Sequence, residues 1–151
     1  MNLALRKAAS IASILLTASL PARASLGDAE ASVEADRAAI EATSRTLPGA
    51  RFTVHELQVP SGTTIREYVS PAGVVFGLAW HGPSMPDLRQ LLGSHFDAYA
   101  DALAARRMRR SPVFVQLPGL VVQSSGHARS FVGKAYLSDA LPQGVSPQDV
   151  Q

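Results

Sequence analysis

The chain has 151 residues, of which 14 are basic and 12 are acidic, and it contains no cysteine. This length is typical of one domain, and a fold without cysteine depends on packing rather than on disulfides. The basic surplus lies in the first 24 residues, and without them the net charge falls from +2 to about −1. A globally basic surface of the kind that binds nucleic acid or anionic lipid is therefore not supported.

The first 24 residues have the pattern of a secretory signal peptide. Arg6 and Lys7 precede an uncharged run of 13 residues from Ala8 to Leu20, and small residues follow in an A-R-A sequence that ends at Ala24. The run is shorter than the ~20 residues that span a bilayer. We therefore expect cleavage between Ala24 and Ser25. The product is a protein of the periplasm or the medium without a transmembrane anchor.

Residues 25–46 predict a short entry segment followed by a short N-terminal helix. Ser32 is its expected N-cap, because a serine oxygen accepts hydrogen bonds from backbone N–H groups of the first turn. Glu34 and Asp36 follow in the turn where the helix dipole favours acids. The sequence Leu47-Pro48-Gly49 is expected to end this segment.

Residues 51–81 predict a three-stranded antiparallel meander. The runs RFTVHELQV, TTIREYV and VVFGLAW are rich in β-branched and aromatic residues. The sequence Ser70-Pro71-Ala72-Gly73 is typical of a type I turn, and a two-residue loop there would pair Glu67 with Phe76. Glu67 would then lie on an apolar face of the sheet. The other predicted members of this face are Ile65, Val69, Val74, Phe76, Leu78 and Trp80.

The segment from Pro86 to about Met108 predicts the longest helix. Ser84 and Asp87 resemble a capping box, and Gly93 weakens the middle by ~1 kcal/mol relative to alanine. Apolar residues recur at helical spacing and predict a stripe that contacts Ile65, Phe76 and Leu78. The stripe consists of Leu88, Leu91, Leu92, Phe96, Tyr99 and Leu103.

A second group of strands is expected between Ser111 and Tyr136, with Ser124-Ser125-Gly126-His127 as a hairpin turn. Residues 141–151 contain two prolines and few apolar residues, which predicts a flexible C-terminal tail. The predicted fold class is therefore α+β in a single domain over 25–140. It comprises an antiparallel sheet from the two strand groups, one amphipathic helix packed on a face, and a short N-terminal helix.

Four segments of the chain closely resemble an exported bacterial family known as domain of unknown function 2844. They are SVEADRAA, REYVSPAGVVFGLAWHGP, DLRQLLGSHFDAY and GLVVQSSGHARSFVGKAYL, in that order. The resemblance covers nearly all of the chain after the signal peptide. It implies one exported domain, and it brings no activity, ligand or catalytic residue with it.

Glu67 is the foremost candidate for a site residue. A carboxylate on an apolar face must find a partner, become neutral or reach an open end of the sheet. Buried acids with shifted pKa values are frequent at functional sites, whereas Arg51, Arg66 or Arg129 could instead hold Glu67 in a structural ion pair. We expect either a direct arginine partner or a raised pKa. His55 is the second candidate, because it could meet Glu67 across strands.

The other polar motifs carry weaker signals. The four histidines are His55, His81, His95 and His127, and none of them shares the H-x-x-x-H or H-x-H spacing of a metal site. We therefore expect neither a metal nor a cofactor. The Ser124–His127 sequence lacks the G-x-S-x-G context of a hydrolase nucleophile and is better interpreted as a turn. Trp80, at the end of a strand, could stack a ligand but more often such a residue fills the edge of a core.

A cluster of arginines ends the long predicted helix. Arg106, Arg107, Arg109 and Arg110 could bind an anionic partner, such as a lipid head group or an acidic protein surface. A solvated helix end also explains them, because cations favour the negative end of the helix dipole. Aromatic residues do not alternate with these arginines, so recognition of nucleic acid is not expected.

Two classes of function remain open at this point. The first is a non-enzymatic binding or interaction module of the bacterial cell envelope, whose partner protein or ligand and oligomeric state the sequence does not specify. The second is a small periplasmic enzyme in which Glu67 and a histidine act as acid and base. Catalysis would need both groups within hydrogen-bonding reach in a concave pocket.

Overall fold

A computed structural model describes residues 26–106 and 112–151. Within these residues, seven strands form one antiparallel sheet in the order β1-β2-β3-β4-β7-β6-β5. The strands are β1 (Thr43–Pro48), β2 (Thr53–Gln58), β3 (Thr64–Val69), β4 (Val75–Gly82), β5 (Val113–Leu117), β6 (Leu120–His127) and β7 (Ser130–Leu137). The helices are α1 (Ala31–Ala39), α2 (Leu88–Leu92) and α3 (Phe96–Ala104).

This architecture confirms the predicted α+β fold class. Strands β1 to β4 form a meander, and the chain then passes through α2 and α3 to β5 at the far edge of the sheet. Strands β6 and β7 lead back, so that β7 pairs with β4 in the middle. Every adjacent pair is antiparallel, and alternate residues of each strand therefore point to opposite faces.

The helices cover one face of this sheet, which we call the helix face. Leu91, Leu92 and Tyr99 are buried there against Ile65 and Leu78. The helix stripe and these two strand residues therefore belong to one apolar cluster, in which Leu88, Phe96 and Leu103 are only partly buried. Removal of such apolar side chains from water is the main stabilising contribution to a chain without disulfides.

The opposite face, which we call the open face, has its own apolar cluster around Tyr68, Phe76 and Tyr136. Phe52 packs edge-on to Phe76, with 6.0 Å between the ring centroids. Phe76 was expected on the helix face, and that expectation is wrong. The register shifts between Tyr68 and Val69, so Glu67 pairs with Leu78 rather than with Phe76. A bulge of this kind sends the bulged residue to the other face.

The N-terminal helix is shorter than the predicted segment. Helix α1 ends at Ala39, and Thr43–Pro48 forms an edge strand instead. Glu41, with φ of 52°, takes the left-handed conformation that stops the helix. Ser32 is not the N-cap: Glu30 holds that position, and the Ser32 hydroxyl donates to the carbonyl of Ala29.

The long predicted helix is divided at Gly93. This glycine has φ of 51°, a backbone conformation that residues with a side chain rarely adopt. It ends α2, and a 3₁₀ turn then leads into α3. Asp87, rather than Ser84, caps α2, because its carboxylate accepts from the backbone N–H groups of Arg89 and Gln90. Helix α3 ends at Ala104.

Two further expectations for the second half of the chain are wrong. The sequence Ser124–His127 lies within β6, and the hairpin turns at Ala128-Arg129, where Arg129 has φ of 65°. Residues 141–151 are not a loose tail, since they cross the open face and Val150 is completely buried there. Side chains of the sheet hold this segment by its carbonyl groups: Arg51 donates to Gly144 and Lys134 to Pro147.

Candidate functional site

Glu67 lies on the helix face with only 1% of its surface exposed. Among the described residues, no N–H group or alcohol hydroxyl donates a hydrogen bond to either of its carboxyl oxygens. Burial raises the pKa of Glu67, and the nearby carboxyl group of Asp36 adds to this effect by charge repulsion and by hydrogen bonding, so that the pKa is about 8. The raised pKa is one of the two expected outcomes. No arginine forms an ion pair with Glu67 in the described part of the chain.

Asp36 reaches this position from α1. It is 1% exposed, and its Oδ1 accepts a hydrogen bond of 2.7 Å from Gln90 Nε2 of α2. Two carboxyl groups can share a hydrogen bond only while one of them holds a proton. The pair of Asp36 and Glu67 is therefore expected to carry a single proton near neutral pH, and this proton links α1 to the sheet.

His55 is the cross-strand neighbour of Glu67 in the register but bonds elsewhere. Its Nε2 lies 2.9 Å from Glu30 Oε1, and its Nδ1 lies 3.2 Å from Thr46 Oγ1. Both ring nitrogens are thus engaged by residues other than Glu67. Glu67 also lines neither the groove described below nor a smaller cavity of about 170 Å³ between Ile65 and Gln90. The structure does not bring the proposed acid–base pair together in a pocket.

A groove of about 720 Å³ lies on the open face. It crosses the sheet along a row in which each residue pairs with the next, from Arg66 through Ala79, Lys134 and Gln123 to Phe114. Ala79 is small, so the longer side chains on both sides of it enclose a depression. Cavities of ~300–1,000 Å³ are typical of sites for small molecules.

Apolar side chains that remain in contact with water line part of the groove. Phe114 is 51% exposed and Val132 is 54% exposed, the two highest values among the exposed large hydrophobic residues of the described chain. Phe114 lies on the edge strand β5, and Val132 lies on β7 in the interior of the sheet. Their exposure costs free energy that burial under an apolar ligand would recover, at roughly 25 cal/mol per Å² of apolar surface.

The charged groups of the groove are all basic. Arg66 and Lys134 line it, together with the exposed His81, and no acidic residue does. Arg66 Nε donates to Glu56 at 2.9 Å, and the guanidinium beside Glu56 lowers the pKa of that carboxyl group. Glu56 is also bound by Arg45. Lys134 takes part in no ion pair of the described residues, and its Nζ donates to the carbonyl of Pro147 at 2.7 Å.

Residues 141–151 form one wall of the groove. Val150 packs against Gly77, where an added Cβ would lie 3.0 Å from the valine methyl group. Arg66 donates to the carbonyl of Gln151, and the Tyr68 hydroxyl donates to the same oxygen at 2.5 Å. The end of the segment therefore covers the open face around Gly77 and borders the groove with Val150 and Gln151.

Trp80 also borders the groove, since it lies between the lining residues Ala79 and His81 on β4. An added Cβ on Gly133 would lie 2.3 Å from the indole ring, so the ring packs directly on the backbone of β7. The indole Nε1 is buried and has no hydrogen-bond partner among the described residues. Trp80 is buried in the helix-face core, as was expected for a tryptophan at a strand end, and it also borders the groove.

The remaining sequence candidates lie apart or outside the described residues. Of the arginine cluster, only Arg106 is described, and its Nη1 donates to the carbonyl of Phe114 at 2.9 Å. Arg107, Arg109 and Arg110 fall in the segment 107–111, outside the described residues. Within the described chain, no three potential ligand side chains are grouped as a metal site would require, and none of the helices is long and apolar enough to cross a membrane.

The sequence reasoning identified Glu67 but missed the groove. Its lining comes from five strands and from residues 141–151, and these meet only once the strand order and register are fixed. The alternation of side chains along each strand indicates which residues of that strand share a face. It does not indicate which strands are neighbours, so it could not bring Phe114, Gln123 and Lys134 together.

The comparisons with known proteins identify the family. Neither the curated proteins nor the solved structures include a match to this chain. The family described as protein of unknown function DUF2844 matches residues 22–150, which is most of the chain, so the protein belongs to this family.

Proposed function

We propose that this protein is an exported, non-enzymatic binding module of the bacterial cell envelope, and that the groove on the open face binds a small apolar ligand. The observation that supports it most directly is the exposure of Phe114 and Val132 in a cavity of about 720 Å³. Sites for small molecules combine an apolar lining with a few polar groups, and this groove has both. Export rests on the signal-peptide pattern that ends at Ala24.

The enzyme hypothesis has less support. General acid–base catalysis requires a group within reach of a proton on a substrate. Glu67 is buried beneath the helices and lines neither cavity, and the ring nitrogens of His55 bond to Glu30 and Thr46. A raised pKa on a buried acid is also what a structural carboxyl pair produces. The geometry therefore favours binding over catalysis.

The single tryptophan of the chain permits a direct test. N-phenylnaphthylamine is a neutral, apolar dye that fluoresces when it leaves water, and Trp80 at the groove can transfer excitation energy to it. We expect saturable binding with energy transfer from Trp80. The variant Val132→Asp should weaken binding by at least tenfold, because it places a charge in the apolar part of the groove.

The matched control is Leu47→Asp, since Leu47 is 39% exposed on β1 and does not line the groove. This variant should bind the dye as the wild type does. Both changes are at exposed positions and should leave the thermal midpoint nearly unchanged. Absence of saturable binding by the wild type, or equal loss in both variants, would contradict the proposed function.

A further inference from the structure

Lys134 is a partly buried cation, and it forms no ion pair with an acidic side chain of the described residues. Its hydrogen bond to Pro147 has a neutral carbonyl as acceptor. Such a bond satisfies one N–H donor of the ammonium group but does not neutralise its charge. Since lysine has three donors, the group retains the capacity to bind an anion as well.

Arg66 lies near Lys134 on the same face. Ala79 alone separates the two residues in the row, so their strands are two spacings apart, which is roughly 10 Å. Both side chains are long enough to converge above the small Ala79. Arg66 uses Nε for Glu56 and Nη1 for Gln151. A guanidinium group has five N–H donors, so others remain for a ligand.

The side chains of this row carry a net positive charge even with Glu56 included. Along the row, Arg45 and Arg66 share Glu56, and Lys134 adds a further positive charge. Phe114 is the exposed apolar residue at the β5 end of the row, and Val132 lies on β7 two residues from Lys134 and on the same face. Positive side chains and exposed apolar surface within one groove are complementary to a molecule with an anionic head and an apolar chain.

We propose that Lys134 and Arg66 form a head-group subsite in the groove, and that the ligand is a free single-chain amphiphile with a carboxylate head, such as a fatty acid. This inference rests on the proposed function of the groove and specifies its ligand. A free molecule is favoured over a membrane surface because the groove is bounded, with Val150 and Gln151 as a wall. The carboxylate accepts charge-assisted hydrogen bonds, which are stronger than bonds to a neutral head group.

The test compares two competitors that differ only in the head group. Laurate and dodecanol have the same chain length, and each is titrated against bound N-phenylnaphthylamine below its solubility limit. We expect laurate to displace the dye at a concentration at least tenfold lower than dodecanol. In Lys134→Gln this preference should fall to about twofold or less; because both competitors displace the same bound dye, any change in the affinity for the dye cancels from the ratio.

Arg89→Gln is the matched control, since it removes one positive charge from α2, where Arg89 pairs with Asp97 and does not line the groove. It should keep the wild-type preference for laurate. Equal displacement by laurate and dodecanol in the wild type, or an undiminished preference in Lys134→Gln, would overturn this inference and leave the groove a neutral apolar site. Failure of the dye to bind at all would instead contradict the proposed function itself.

A second arm distinguishes a free amphiphile from a lipid surface. Vesicles of phosphatidylcholine with phosphatidylglycerol are sedimented with the wild type and with Lys134→Gln. We expect the wild type to remain in the supernatant under conditions where laurate binds. Co-sedimentation that depends on Lys134, without competition by laurate, would overturn the assignment of a free ligand in favour of a membrane head group.

Discussion

At the scale of single residues, the buried position of Glu67 could be predicted because side chains along a strand alternate between the two faces of the sheet. The residue that Glu67 contacts could not be predicted. Hydrophobic residues two positions away on both sides indicate an inward side chain. The carboxyl group that Glu67 meets belongs to Asp36, which is held by Gln90. These residues come from two different helices, and the sequence contains no signal of how those helices pack.

The raised pKa of Glu67 has a consequence for stability that can be measured. In the unfolded chain this group has an ordinary pKa near 4.5, whereas in the fold it is about 8. Below pH 4.5 both states hold the proton, and between these values only the folded state does. The free energy of unfolding should therefore fall as pH rises through this range and level off above pH 8. Each pKa unit corresponds to about 1.4 kcal/mol.

Glu67→Gln should remove most of this slope, because glutamine keeps the shape and cannot ionise. We expect the variant to be more stable than the wild type at pH 8, and the difference to shrink as pH falls towards 4.5, in urea unfolding at a series of pH values. Glu41→Gln changes an exposed glutamate and should retain the wild-type slope. Parallel profiles for Glu67→Gln and the wild type would show that Glu67 is solvated.

At the scale of elements, hydrophobic periodicity identified the meander and the helical segment, but local geometry changed their bounds. Gly93 was expected only to weaken one long helix, yet its left-handed conformation divides the segment into α2 and α3. The register shift beside Val69 could not be predicted from the turn sequence, because that sequence is also compatible with a regular hairpin. A bulge depends on how both faces pack, and therefore on residues remote in the sequence.

The division of the helix predicts unequal effects of two substitutions. Leu92 is completely buried, whereas Phe96 is only partly buried, and Arg89 lies 4.2 Å above the centre of its ring. We expect Leu92→Ala to lower the free energy of unfolding by ~2–5 kcal/mol. Phe96→Ala should lower it by less than the ~3–5 kcal/mol typical of a buried phenylalanine. Urea denaturation of both variants checks this order, and the reverse order would mean that α3 faces the sheet differently.

At the scale of the whole molecule, composition misled the interpretation of residues 141–151. Prolines and few apolar residues are typical of a loose segment, but one valine and three bonded carbonyl groups hold it on the sheet. Each cation that donates to these carbonyls comes from a different strand or loop. The pattern therefore becomes visible only when the sheet is assembled.

Val150→Ala tests whether this segment is part of the fold. Val150 is completely buried, and full burial of a valine is worth about 1.5–3 kcal/mol. We expect a loss of about that size in urea denaturation. Val132→Ala makes the same chemical change at a position that is 54% exposed, and its effect should be clearly smaller. Equal effects would indicate that the segment is loose in solution.

Export makes a separate prediction about the whole chain. In a Gram-negative host, the full-length precursor should be processed after Ala24, because the residues before that position have the features that signal peptidase recognises. N-terminal sequencing of the protein from the periplasmic fraction should begin at Ser25. Recovery of most of the protein from the cytoplasm with Met1 intact would refute export.

The central claim is that the groove on the open face is the functional site, and a titration followed by NMR tests it most directly. Laurate is added to isotope-labelled protein, and the shifts of the backbone amides are mapped on the sheet. The account predicts that the largest changes surround Ala79, Phe114, Val132 and Lys134, with little change at Asp36 and Glu67 on the helix face. Saturable changes centred on Glu67, or no saturable change at the groove, would contradict it.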